Sequence, residues 1–208
     1  MIEIAIVDYG VGNLFSLAAS LRHIGAECTV TGSVKEMEAA DKVILPGVGA
    51  FGDAMAKLRA SALADPVREM ARAGKPLLGI CLGMQLLFEK SYEYGEHEGL
   101  GLVPGTVENL RGDVPPDLKV PQIGWNALRF RKPEDPLVRD VGEGSCVYFV
   151  HSYYAKHCEE SLVATAEYSV EVPAIVRAGN VWGTQFHPEK SGRVGLSILR
   201  AFCGEDVK

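Results

Sequence analysis

The sequence predicts an α/β fold in which a doubly wound, mostly parallel sheet gains antiparallel strands in its C-terminal half. In the first half of the 208-residue chain, short apolar runs alternate with segments of helical periodicity. The first run, residues 2–7, is rich in Ile and Val, which is typical of a strand buried on both faces. After residue 95 prolines and glycines become frequent, and short strand-like runs replace the helical segments.

The first half contains four strand candidates and three helical segments. The strand candidates are residues 2–7, 27–30, 42–45 and 76–80. The helical segments are residues 13–23, about 53–73 with a break near Pro66, and 84–90. Because β-α-β crossovers are right-handed, this order predicts parallel strands with helices on both faces of the sheet.

The second half contains five strand candidates and a final amphipathic helix. The strand candidates are residues 119–123, 146–151, 162–167, 174–177 and 181–185, and the helix spans about residues 192–202. We expect these strands to form antiparallel hairpins that extend the sheet. No repeat, low-complexity tract or linker interrupts the chain, so residues 1–208 are interpreted as one domain.

The composition argues against several classes of partner. Lys and Arg number 21 against 27 Asp and Glu, which gives a formal net charge of −6. A nucleic-acid polymer or an anionic membrane would need a clustered basic surface. No apolar stretch of about 20 residues could span a membrane, and the first residues lack a signal-peptide pattern. We therefore expect a cytoplasmic protein.

The cysteines pose one question about reactivity. They are scattered at Cys28, Cys81, Cys146, Cys158 and Cys203, without a C-x-x-C pair. This spacing argues against a disulfide framework and a zinc site. The five histidines show no H-E-x-x-H spacing either, so no metal is predicted. The open question is whether one of the five thiols is reactive.

The segment Gly79-Ile80-Cys81-Leu82-Gly83 joins a predicted strand to a predicted helix. This is the context of a nucleophile elbow, with cysteine in the place of serine. The flanking glycines permit a sharp turn that side chains would obstruct, and the start of the helix favours a thiolate. The backbone N–H of Leu82 is then placed to donate to an oxyanion. The alternative is an inert buried cysteine beside two packing glycines.

A second candidate is the Gln-Phe-His-Pro-Glu segment at residues 185–189. The proline favours extended backbone at His187, so the side chains of His187 and Glu189 point to the same side. The carboxylate would then orient the imidazole, which together with Cys81 predicts a Cys-His-Glu triad. The alternative is a turn at a strand end in which Glu189 is solvated.

A third candidate is the glycine-rich segment Pro-Gly-Val-Gly-Ala-Phe-Gly at residues 46–52, which follows a predicted strand. Its backbone N–H groups can form a nest for an anion, and thus supply a second oxyanion donor or hold a carboxylate. A flexible turn capped by Asp53 is an equally good interpretation.

Together these segments resemble the class I glutamine amidotransferases, which carry a Cys-His-Glu triad on a flavodoxin-like sheet. The resemblance extends to the glutaminase subunits (HisH) of imidazole glycerol phosphate synthase. It rests on Gly-Trp-Asn at residues 124–126, His-Ser-Tyr at 151–153 and Glu-Lys-Ser at 189–191, and it runs from the first residue to the last helix.

This resemblance implies hydrolysis of glutamine to glutamate and ammonia, without a cofactor. It implies a heterodimer with a cyclase (HisF), which joins the ammonia to phosphoribulosyl formimino-AICAR ribonucleotide in histidine biosynthesis. The products would be imidazole glycerol phosphate and AICAR. Cys81 would attack the amide carbon, His187 would protonate the leaving ammonia, and Glu189 would hold the His187 tautomer.

The resemblance also implies the other site residues. The oxyanion donors would come from Leu82, Val48 and Gly49. Contacts to glutamine would come from Gly49, Gln85, Glu93, Ser152 and Tyr153, and the partner interface would include Asn13, Trp125, Tyr148 and Lys190. The alternatives are a surface role for Glu93 and an ordinary core position for Trp125. The isolated subunit would have little activity, because the Val48–Gly49 peptide would not point its N–H at the oxyanion.

Three other functions share part of this pattern. The glutaminase subunit of pyridoxal phosphate synthase has the elbow and the His-Pro-Glu segment, but the segments at 124–126, 151–153 and 189–191 argue against it. A cysteine hydrolase or peptidase would need an open groove. A silent regulatory binding partner predicts a damaged triad, whereas Cys81, His187 and Glu189 are all present.

Overall fold

The computed structural model describes residues 2–204. The strands in this range are β1 Glu3–Val7, β2 Glu27–Thr31, β3 Lys42–Gly47, β4 Leu77–Cys81, β5 Phe88–Ser91, β6 His97–Glu98, β7 Val103–Asn109, β8 Gln122–Phe130, β9 Cys146–His151, β10 Tyr153–Lys156, β11 Leu162–Tyr168, β12 Val170–Ala178 and β13 Val181–Thr184. The α-helices are α1 Leu14–His23, α2 Val34–Ala39, α3 Phe51–Ala60, α4 Ala64–Arg72, α5 Leu82–Leu86 and α6 Gly192–Cys203.

The main sheet confirms the predicted fold class. Its nine strands lie in the order β2-β1-β3-β4-β13-β12-β11-β8-β9. The first five are parallel to one another, and the remaining four continue in antiparallel pairing. The sequence predicts β13 only in an antiparallel hairpin, which is wrong in part. It pairs antiparallel with β12 but parallel with β4, and so joins the two halves.

Both faces of the inner parallel strands β1, β3 and β4 are buried, whereas the edge strand β2 is largely exposed. Ile4 and Ile6 of β1 belong to a core that includes residues of α1 and α6. Ala5 and Val7 alternate with them and belong to a second core, which includes residues of α2, α3 and α4. Successive side chains of a strand point to opposite faces, so helices cover the sheet on both sides.

Several predicted boundaries are wrong. The helix expected at residues 84–90 is the five-residue α5, followed by strand β5, which pairs with β7. The break expected near Pro66 lies at residues 61–63, because a proline in the first turn of α4 removes no helical hydrogen bond. The strand expected at residues 119–123 begins at Gln122, after a proline that has no N–H to donate to a sheet.

The sequence does not predict α2 or the second sheet, which has four strands in the order β10-β7-β5-β6. In this sheet β7 pairs antiparallel with β10 and parallel with β5. It matters for the site because it carries the segments around Glu93 and Tyr153 to the end of the parallel strands. Within residues 2–204 no helix is long and apolar enough to cross a membrane.

Candidate active site

The three candidate segments follow three neighbouring parallel strands. Strand β4 lies between β3 and β13, with Cys81 opposite Gly47 and Ile80 opposite Thr184. The carboxyl ends of parallel strands open on one edge of a sheet, where ligands bind in open α/β folds. The glycine-rich segment after β3, the elbow after β4 and the His-Pro-Glu segment after β13 therefore meet at that edge.

The elbow is tightly built around an unusual backbone conformation. Cys81 has φ 54° and ψ −110°, which non-glycine residues rarely adopt and which functional sites often retain. A Cβ at Gly83 would lie 1.9 Å from the carbonyl oxygen of Leu45, and one at Gly79 would lie 2.6 Å from that of Gly83. Both glycines are therefore required by close backbone packing. Helix α5 has only five residues, so the expected help from a helix dipole is small.

His187 and Glu189 form a buried pair. Nδ1 of His187 lies 2.8 Å from Oε1 of Glu189, and each side chain is 3% exposed. Burial lowers the pKa of His187, but hydrogen bonds with Cys81 and Glu189 outweigh it and raise that pKa to about 9. A positively charged imidazole beside a thiol favours the thiolate, which is the nucleophilic form of cysteine.

A chain of amide hydrogen bonds reaches the sulfur from the other side. Nε2 of Gln185 lies 3.9 Å from Sγ of Cys81 and is placed to donate to it. Oε1 of Gln185 accepts from Nε2 of Gln85 at 3.0 Å, and the same Nε2 donates to the carbonyl of Tyr153 at 2.8 Å. Both N–H bonds of the Gln85 amide are thus used within the protein, which leaves its oxygen for a substrate.

These groups surround a cavity of about 360 Å³ at the sheet edge. Besides Cys81 and His187, it is lined by Val48, Gly49, Leu82, Gln85, Glu93, Ser152 and Tyr153. This set contains every residue expected to donate to an oxyanion or to contact a substrate. Glu189 is absent from the lining, in keeping with its contact to Nδ1 of His187. A concave site with a few convergent polar groups is the usual form of a small-molecule site.

The geometry agrees with comparisons to known proteins. Residues 5–204 match the family model described as glutamine amidotransferase class-I. The chain belongs to this family. It is 51% identical over 201 residues to the imidazole glycerol phosphate synthase subunit HisH of Bacillus cytotoxicus, which covers 97% of this chain and 94% of the relative. It is 52% identical to the subunit HisH of Geobacillus thermodenitrificans, with 98% and 96% of the two chains covered.

Solved structures show the same fold at low sequence identity. A chain in the structure of PurLQS from Thermotoga maritima has a TM-score of 0.75 and 21% identity, and 98% of each chain is covered. A crystal structure of glutamine amidotransferase has a TM-score of 0.74 and 20% identity, with 97% of this chain and 99% of the other covered.

Sequence reasoning missed two residues of this amidotransferase site. Gln185 could have been found, because it precedes His187 by two positions in extended chain and so shares its side. His151 lies in the cavity wall with Nδ1 3.0 Å from the carbonyl of Tyr153. Burial, together with the charge of His187, lowers the pKa of His151 to about 4 despite that hydrogen bond. His151 is therefore neutral, and its buried Nε2 finds no partner among the described residues.

The residues expected at a partner interface differ in exposure. Trp125 is 56% exposed, and its ring centroid lies 5.9 Å from that of Tyr148, so Trp125 is not a core residue. Ile123, two positions before it, is 60% exposed. Lys190 is exposed and lines the cavity, whereas Asn13 caps α1 through its bond with the N–H of Ser16. An apolar surface at Ile123 and Trp125 is suited to a protein partner.

Proposed function

We propose that this amidotransferase hydrolyses glutamine to glutamate and ammonia, and that it supplies the ammonia to a cyclase subunit (HisF) of imidazole glycerol phosphate synthase. The cyclase would combine the ammonia with phosphoribulosyl formimino-AICAR ribonucleotide to form imidazole glycerol phosphate and AICAR in histidine biosynthesis. The observation that carries this proposal is the buried His187–Glu189 pair beside Cys81 at one cavity. The HisH relatives support the partner and the pathway.

In the first half-reaction the thiolate of Cys81 attacks the side-chain amide carbon of glutamine and forms a C–S bond. The backbone N–H of Leu82, together with a donor from the Val48–Gly49 peptide, stabilises the oxyanion. His187 donates its proton to the amide nitrogen, the C–N bond breaks, and ammonia leaves. A glutamyl thioester remains on the enzyme.

In the second half-reaction His187 is neutral and takes a proton from water, whose oxygen attacks the thioester. The C–S bond breaks, glutamate leaves, and the thiolate of Cys81 is restored beside a protonated His187. Glu189 accepts a hydrogen bond from Nδ1 throughout, which keeps Nε2 as the atom that exchanges protons. Acyl transfer by an activated thiol requires no cofactor.

Recognition of glutamine requires charged partners for its ammonium and carboxylate groups. The proposed contacts are Gly49, Gln85, Glu93, Ser152 and Tyr153, and the negative charge of Glu93 suits the ammonium. The proposed docking surface contains Asn13, Trp125, Tyr148 and Lys190, with no nucleic-acid polymer or membrane as partner. The whole chain would act as one domain in the cytoplasm.

A reconstituted assay tests this function. The protein is mixed with a HisF cyclase, its nucleotide ligand and glutamine, and glutamate release is measured for the wild type and Cys81→Ala. We expect release that depends on the cyclase and is abolished in Cys81→Ala. Cys158→Ala is the matched control, because Cys158 is also buried but burial raises its pKa to about 12.

Two results would contradict the proposal. The absence of partner-dependent glutamate from the wild type would exclude the assigned function and favour a silent binding partner. Glutamate release that persists in Cys81→Ala would exclude Cys81 as the nucleophile.

A further inference from the structure

The segment at residues 46–50, here called the oxyanion loop, is held at both ends by side chains from other elements. At its start, Oη of Tyr9 donates to the carbonyl oxygen of Pro46 at 2.8 Å. Just after its end, the N–H of Phe51 donates to Oε2 of Glu93 at 2.6 Å. Between these points Gly49 has φ 94°, and a Cβ built on it would meet nothing within 4 Å.

The bond to Glu93 satisfies the first amide of α3. The first N–H groups of a helix have no partner inside the helix. The capping position before Phe51 is occupied by Ala50, whose side chain cannot accept a hydrogen bond. Glu93 takes this role from 42 residues further along the chain, as a buried and charge-assisted acceptor. The start of α3, two residues after Gly49, is thus fixed by a side chain from a separate segment.

Glu93 is itself held in place. Its backbone N–H donates to Oγ of Ser91, which is fully buried at the end of β5. Glu93 is 9% exposed and lines the cavity with Cys81. The side chain therefore has two neighbours of different kinds, the helix start on one side and the substrate space on the other.

We propose that Glu93 is a positioning residue for the oxyanion loop, independent of any contact it makes with the substrate. By accepting a hydrogen bond from the N–H of Phe51, Glu93 fixes the end of the oxyanion loop. The position of that end determines whether the Val48–Gly49 peptide can point an N–H at the oxyanion. This inference rests on the proposed function, since the loop matters to catalysis only when an acyl oxyanion forms at Cys81.

Chemistry separates positioning from substrate contact. Holding the N–H of Phe51 requires only an acceptor oxygen, which Glu93→Gln retains and Glu93→Ala removes. Binding the α-ammonium of glutamine requires the negative charge, which both variants remove. Glutaramate, which is glutamine without its α-amino group, cannot make the ammonium contact at all.

The experiment uses the complex with the HisF cyclase and its nucleotide ligand. Ammonia release is measured for the wild type, Glu93→Gln and Glu93→Ala, at saturating glutamine and with glutaramate. We expect Glu93→Ala to lower kcat for glutamine by about 10- to 100-fold, with a similar loss of kcat/KM for glutaramate. Glu93→Gln should raise KM for glutamine yet keep kcat within about threefold of the wild type, which amounts to rescue by the retained acceptor.

Two controls separate positioning from general damage. Glu89→Ala removes a similar bond, in which the N–H of Gly105 donates to Oε2 of Glu89 at 2.9 Å, and should leave kcat unchanged. The rate at which iodoacetamide alkylates Cys81, a reaction without an oxyanion, should be equal in the wild type and both Glu93 variants. If Glu93→Ala does not fold, Glu93→Met fills similar space without an oxygen acceptor and carries the same expectations.

Three results would overturn the inference. The first is a Glu93→Ala variant that retains the kcat of the wild type for glutamine, or its kcat/KM for glutaramate. Glu93 would then act only on the ammonium group. The second is a loss of kcat in Glu93→Gln as large as that in Glu93→Ala. The third is slower alkylation of Cys81 in step with kcat, which indicates general damage. A wild-type complex that releases no ammonia from glutamine would instead refute the proposed function.

Discussion

The elbow at residues 79–83 and the oxyanion loop at residues 46–50 lie side by side at the ends of β4 and β3, yet they are held very differently. A Cβ at Gly83 would lie 1.9 Å from a backbone oxygen, whereas one at Gly49 would meet nothing within 4 Å. Backbone packing fixes the elbow around Cys81. The oxyanion loop is held at its ends, by strand pairing and Tyr9 at Pro46–Gly47 and by Glu93 at Phe51, while its middle at Gly49 has free space.

This difference indicates where activity can be controlled. The proposed nucleophile and base are in contact in the isolated chain, since His187 bonds both Cys81 and Glu189. The middle of the oxyanion loop has the space and the glycine backbone that a peptide flip requires. We therefore expect a partner to act on the Val48–Gly49 peptide rather than on the thiol, and that orientation change stays a prediction.

The largest expected effect comes from disturbing the elbow. Gly83→Ala should cost more than about 3 kcal/mol of unfolding free energy, because backbone atoms of two elements would have to separate. Gly112→Ala, where a Cβ meets nothing within 4 Å, is the control and should change the free energy by less than about 0.5 kcal/mol. Urea unfolding measures both. A stable and active Gly83→Ala protein would show that the elbow is not tightly held.

The next effect concerns the base beside the elbow. Glu189→Gln should lower kcat by about 10²- to 10⁴-fold, because an amide can stabilise the wrong tautomer of His187. Glu143→Gln, which alters an exposed carboxylate that accepts from the N–H of Phe130, should leave kcat unchanged. Steady-state ammonia release by the complex measures both variants. An unchanged kcat in Glu189→Gln would remove Glu189 from the triad.

The His187–Glu189 pair should make the stability of the protein depend on pH, and Glu189→Gln tests this. The pKa of His187 is about 9 in the folded protein, above its ordinary value of 6.5. The charged His187 therefore stabilises the folded protein fully below pH 6.5, and this stabilisation is lost as the pH rises through 9. Thermal melting of the wild type and Glu189→Gln should differ most near pH 6 and converge above pH 9. A difference that grows with rising pH would contradict the charged pair.

A smaller effect is expected at the start of the oxyanion loop. Tyr9→Phe leaves the buried carbonyl of Pro46 without its donor and should cost about 1–3 kcal/mol of stability. It should also lower kcat, while the rate of Cys81 alkylation by iodoacetamide stays constant. Tyr168→Phe removes a similar but exposed bond to the carbonyl of Lys119 and is the control. Slower alkylation in Tyr9→Phe would mean that loop and elbow are one rigid unit.

The smallest effect on stability is expected in the middle of the loop. Gly49→Ala should cost at most about 1–2 kcal/mol, the strain of a side chain at positive φ in a segment with space to relax. Its main effect should be on the ratio of glutaminase activity with and without the cyclase. Measuring that ratio in the wild type and in Gly49→Ala tests this expectation. An unchanged ratio would mean that the cyclase does not act through Gly49.

The parts of the molecule that the sequence predicts well depend on local patterns. The apolar runs of β1, β3 and β4 are continuous because both faces of these strands are buried. Gly79 reflects a steric demand of its own turn, since a Cβ there would lie 2.6 Å from the carbonyl oxygen of Gly83. The pair of His187 and Glu189 follows from their spacing across one proline. Each of these features is determined by residues within a few positions of one another.

The parts that it misses depend on contacts between distant residues. The bond from Tyr9 to Pro46 spans 37 positions, so no spacing rule indicates it. The spacing of Gln185 to His187 indicates a shared side, but the bond from Gln185 to Cys81 spans 104 positions and follows only from the pairing of β13 with β4. The sequence does not predict the second sheet for another reason. Strand β7 contains a proline and a glycine that normally argue against a strand, and only its pairing with β5 and β10 overrides them.

The most direct test of Cys81 as the nucleophile is affinity labelling. The complex with the cyclase is incubated with a diazoketone analogue of glutamine, digested, and mapped by mass spectrometry. We predict one label per chain on Cys81, loss of glutaminase activity in proportion to labelling, and no label in Cys81→Ala. Labelling of another cysteine, such as Cys28 or Cys158, or full glutaminase activity in a protein whose Cys81 is completely labelled, would contradict it.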